Sequence, residues 1–194
     1  MTSINPQADQ ADVESHNPRS GLETRMSIFK SQSTPRELAE VLFMWALYSE
    51  DIPERVKTLA EEFQASFPVE HSTLYREYVY FRMFITDWVL DSGKDQKGRE
   101  QVRENFFLLL VLMAKKQPNS AEVLKEIKER LEAYTAAANT DHHLGASFMA
   151  ATTFCELCGD RGPTKDISLI SSMVLEFSAI MKTVDSTLRK VRIA

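Results

Sequence analysis

From Thr34 onward the apolar residues recur at intervals of three and four, segment after segment, and that spacing commits the chain to helices. The last segment, over about 166–191, shows it most fully. Ile170, Val174, Phe177, Met181, Val184, Leu188 and Val191 form a 4-3-4-3-4-3 ladder, and Leu169, Met173 and Ile180 make a second row beside it. A wide face of this kind suits a long core helix of a bundle. The ladder also has the geometry of a coiled-coil seam, which makes Phe177, Met181, Val184 and Leu188 a candidate interface with a second subunit.

The preceding segments carry helix punctuation. Thr34-Pro35-Arg36-Glu37 reads as a capping box with proline at the first helical position, opening a helix over about 35–49. Asp51 and Glu54 repeat the cap pattern before Val56, Leu59, Ala60, Phe63 and Phe67. Ser72 opens a third helix, apolar nearly all round, that Ser92-Gly93 ends. A fourth, over about 98–116, starts charged and finishes in the run Phe106 to Ala114, FFLLLVLMA. These two are expected at the heart of the bundle. A fifth, over about 120–138, has the narrow seam Leu124, Ile127, Leu131 and Tyr134 and belongs at the surface. A sixth, over about 141–158, starts with an Asp141 cap and His142-His143 in its first turn and ends at Gly159.

The expected fold is therefore all-α: a single helical bundle of about seven helices spanning residues 34–194, behind a flexible or loosely docked N-terminal arm of residues 1–33. Six Gly and seven Pro in 194 residues fall well below average use and exclude a turn-rich sandwich or barrel. The arm is rich in Asn, Gln, Ser and Pro and too poor in aromatics to offset its ordering entropy, although Leu22, Met26, Ile28 and Phe29 form a small docking patch.

Net charge limits the partners. A formal charge of -5 has the wrong sign for a nucleic-acid binder. Residues 34–68 hold three bases against seven acids and residues 94–117 hold six bases against three acids, an asymmetry that can steer two subunits together. The longest apolar run is shorter than a membrane crossing needs, so no membrane span is expected. Two cysteines make no disulfide framework, and no uninterrupted apolar leader opens the chain; the cytoplasm is the expected compartment.

Cys155 and Cys158 form a CxxC on one helical face, close enough for a disulfide and thus candidate redox thiols. Both also lie on an apolar stripe, where cysteine acts as a small hydrophobe. The motif is similar to that of the helical alkylhydroperoxidase-like family, but Gly162 stands where that family carries a histidine. His142 and His143 are about 20 Å from the thiols along a straight helix, too far to share a metal. Glu-x-x-His pairs, glycine-rich phosphate loops and nucleophile elbows are absent from the sequence, so neither a cofactor nor a catalytic residue is assigned. The leading expectation is a non-catalytic helical protein for interaction or assembly, homo-oligomeric through its C-terminal helix. The alternative is a bundle enclosing a small apolar ligand, with Tyr78, Phe81, Phe84 and Trp88 lining the pocket.

Overall fold

A computed structural model describes residues 32–64, 67–92, 96–160 and 166–193. The expected N-terminal arm up to residue 31, with its patch Leu22, Met26, Ile28 and Phe29, lies outside these, as do Gly93 and residues 161–165 of the loop after Gly159. Seven helices make up the described body: α1 (Pro35–Tyr48), α2 (Ile52–Gln64), α3 (His71–Asp91), α4 (Gln96–Lys115), α5 (Ser120–Ala138), α6 (Gly145–Cys158) and α7 (Ile167–Lys190). The two-residue strands β1 (Gln32–Ser33) and β2 (Arg192–Ile193) pair in parallel, so Gln32 and Ser33 belong with the body rather than with the arm. The all-α bundle is the fold that the spacing predicts.

Local chemistry sets the helix ends. The Thr34 hydroxyl accepts from the Glu37 amide at 3.2 Å and the Glu37 carboxylate accepts from the Thr34 amide at 2.8 Å, which closes the capping box with Pro35 at N1. Asp166 caps α7 by accepting from the Ser168 and Leu169 amides. Gly159 ends α6 at φ 116°, where a side chain would be strained, while the Asp160 amide returns to the Cys155 carbonyl. The start of α6 departs from expectation. His142 and His143 precede the helix, stacked on each other at 4.3 Å, and the His142 ring nitrogen accepts from the Leu144 amide. Gly145, at φ 81°, lies between them and the regular helix, so the histidines are not its first turn.

α3 is the axle of the bundle and touches all six other helices. Its Phe81 and Phe84 meet Tyr134 of α5 and Phe177 of α7, and Phe81 also meets Phe154 of α6, with ring centroids 5.2–6.3 Å apart. Fully burying each such ring contributes about 1.5–3 kcal/mol. α4 does not share the centre. Of its residues 98–115 only Val102, Phe106, Leu110 and Ala114, a single row at steps of four, are buried, and it lies chiefly along α1. Twenty-four residues long and with a mean hydropathy of 1.5 over its most apolar stretch, α7 has the length and composition of a membrane crossing. In the bundle it acts as a core helix, turning Leu169, Ile170, Met173, Phe177, Ile180, Val184 and Leu188 inward.

Candidate functional site

Along α3 the sequence places Glu77, Arg82 and Asp87 in an otherwise apolar surround, and all three side chains are buried. A buried charge is costly unless a partner meets it, and here each is met by a different part of the chain. The Arg130 guanidinium of α5 donates to Glu77 Oε1 at 2.9 Å. Arg82, 1% exposed, lies over the Trp45 ring at 4.0 Å and donates to the Trp45 carbonyl at 2.8 Å and to Asp51 at 3.1 Å, tying α3 to α1 and to the turn that follows it. Asp87 receives two hydrogen bonds from Arg103 of α4, which also reaches Asp91. The Asp87 contact, foremost, holds the Arg103 guanidinium still more firmly in its charged form.

A second polar chain joins α2, α3 and α7. The Tyr78 hydroxyl donates to Glu176, Arg55 donates to the other oxygen of that carboxylate at 2.8 Å, and Arg55 also lies 3.6 Å from Glu62, which accepts from the Ser172 hydroxyl. Burial foremost, then the Glu176 charge, pushes the Tyr78 phenol well up, so it stays a neutral donor. Periodicity alone misses these residues. The signal for them was present, in three ionisable side chains five residues apart within the mostly apolar stretch from Glu77 to Leu90.

The two cysteines of α6 are free and buried. Both lie near enough to act on the buried Tyr134 hydroxyl, and burial first, then the Glu77 carboxylate, pushes the Cys158 thiol well above its ordinary range. Burial likewise raises Glu77 above 4.5 against the opposing pull of Arg130. A thiol raised in this way holds less of the reactive thiolate. Tyr78, Phe81 and Phe84 are buried and Trp88 is half-buried; Phe84 sits 5.8 Å from the Trp88 ring and stacks on Tyr134 at 5.3 Å. Phe81, Phe84 and Trp88 are thus linked through their own rings and that of Tyr134, while Tyr78 is turned to Glu176 and Arg82. Of the α7 ladder, Phe177, Val184 and Leu188 face the chain's own core and only Met181, 37% exposed, is left for a partner. The flanking row Leu169, Met173 and Ile180 is buried throughout, whereas the ladder includes half-buried Val174 and exposed Met181. Among the described residues, no three His, Cys, Asp or Glu side chains converge in a metal-binding group.

The large apolar side chains that do meet solvent are elsewhere. α4 exposes Leu108 (54%) and Leu112 (46%), and α1 exposes Met44 and Tyr48 (55% each). The two helices are neighbours: Phe43 of α1 meets Phe106 of the buried row of α4 at 6.3 Å and Tyr48 of its own helix at 6.0 Å. Ile167 and Leu175 of α7 and Leu144 are exposed as well. The chain matches no protein-family model, no curated protein and no solved structure, so the arrangement of its own residues is the only guide to its role.

Proposed function

We propose that this protein is a non-catalytic helical module for protein association, and that its working surface is the outer side of α1 and α4. The observation that carries this is the placement of α4. A run of nine consecutive apolar residues is spent on a helix that buries one row in four, leaving Leu108 and Leu112 in water with Met44 and Tyr48 on the neighbouring helix. Exposed apolar residues that gather on one side of a bundle mark a contact surface, whereas scattered ones need no explanation. The ionic contacts of α3 support the same reading, since each of those charges is committed to a neighbouring helix and so serves to fasten the bundle rather than to perform chemistry.

Support for a ligand-binding bundle is weaker, because the rings expected to line a pocket are packed on Tyr134, Phe154 and Phe177. Light scattering on the purified full chain across a concentration series tests the proposal. A mass that rises above the 22.1 kDa of one chain, and falls back when Leu108→Glu is introduced, is the expected result. A Leu108→Glu chain with unchanged association would overturn the placement of the surface.

A further inference from the structure

The outer row of α4 has an order of its own. Glu104, Leu108 and Leu112 of α4 lie on the side opposite the buried row Val102, Phe106, Leu110 and Ala114, and Lys116, in the turn just past the helix end, continues the steps of four; all four are exposed. Read from either end the row is acid or base, leucine, leucine, then the opposite charge. A sequence of that form is its own complement when reversed.

We infer that the partner for this surface is a second copy of the same chain, docked with the two α4 helices antiparallel across a two-fold axis. The inference rests on the association reading above and names its partner. In that register Leu108 faces Leu112 of the partner subunit and Glu104 faces Lys116 of the partner subunit, and the two-fold repeats both pairs. A parallel pairing would set Glu104 against its own counterpart and Lys116 likewise, so charge selects the antiparallel arrangement. The four positions span about 18 Å of helix. That row alone covers less than the roughly 1,200 Å² of a stable interface, so the dimer also uses the positions that flank it on α4, exposed Gln101 and Lys115 and half-buried Asn105 and Val111. The outward row of α7 offers no such order: Leu175 stands there among Ser171, Ala179 and Lys182.

Sedimentation velocity on the full-length wild type and on Glu104→Lys, Lys116→Glu and the double reversal tests this directly, with far-UV circular dichroism to confirm that each surface variant folds. The wild type is expected to dimerise. Each single reversal places like charges opposite one another twice and is expected to weaken dimerisation about tenfold, whereas the double reversal restores complementarity and is expected to come within about threefold of wild type. A wild type that stays monomeric at its highest soluble concentration overturns the inference while leaving association with a different protein open. Single reversals without effect, or a double reversal weaker than either single, overturn the antiparallel register. Loss of the dimer with Leu175→Glu but not with Glu104→Lys would move the interface to α7, defeating this inference while upholding self-association.

Discussion

α3 and α4 are of nearly equal length, 21 and 20 residues, lie side by side, and both carry long apolar stretches, yet they stand in opposite relations to water. α3 is surrounded. Its ionisable residues Glu77, Arg82 and Asp87 are inside because every side of the helix meets another helix, and each charge is matched by an arginine, an aspartate or a backbone carbonyl. α4 is covered on one side only, and its Leu108 and Leu112 are outside because no element of the described body lies over them. Position in the packing, not hydropathy, decides which helix is central. The difference also separates two uses of a residue: buried charges that orient helices within the chain, and exposed leucines that offer a surface to something beyond it.

Removing Arg82 should be the hardest test of the α3 half of this contrast. Arg82→Ala takes away a buried guanidinium, its stacking on Trp45 and its contacts to Asp51 and the Trp45 carbonyl. A loss of about 3–5 kcal/mol in urea unfolding is expected, and a loss below about 1 kcal/mol would show that the buried charge does not fasten α1 to α3. Within α4, Leu110→Ala, at a site 2% exposed, is expected to cost about 2–5 kcal/mol. Leu108→Ala, only two positions away, is expected to change monomer stability by less than about 0.5 kcal/mol when measured at concentrations too low for dimers. Equal costs at the two positions would erase the distinction between the rows.

Glu77 gives a prediction of sign. Burial lifts its pKa in the folded protein above 4.5. Between that value and the raised one, the folded chain holds a proton that the unfolded chain has released, so stability is at its full value below this window and is lost as pH rises through it. Glu77→Gln removes the titration but keeps an oxygen for Arg130. Urea midpoints measured at rising pH should therefore shift in favour of the glutamine variant once the pH passes 4.5; a difference that stays flat would mean that Glu77 titrates normally. The smallest effect expected is at the thiols. Cys155 and Cys158 should react with a thiol reagent far more slowly in the native protein than after denaturation, and fast native labelling would return them to the list of redox candidates.

Much of this architecture is legible in the sequence because it is local. The capping box at Thr34, the glycine that ends α6 and the ladder of α7 depend on neighbours three or four residues away, and each appears in the structure where the spacing puts it. What depends on distant neighbours is not legible in the same way. Nine consecutive apolar residues in α4 contain no period that could tell one side from another, so the expectation that it joins α3 at the centre fails. The α7 ladder marks most of its buried positions, Met181 and Val174 apart, but cannot say whether the cover is the same chain or another, and here Phe177, Val184 and Leu188 are covered by the chain itself. Arg82 shows the reverse problem. Its partners, Asp51 and the carbonyl of Trp45, are 31 and 37 residues away in sequence, and only the fold brings them together. The outer row of α4 likewise stands out only once the fold shows which side of the helix is wet.

The most direct test of the central claim, that the outer face of α4 carries association, is native mass spectrometry of the full chain beside its Leu108→Glu/Leu112→Glu variant at matched concentrations. The account predicts a species of twice 22.1 kDa for the wild type and a folded monomer for the variant. The same dimer in both spectra would contradict it.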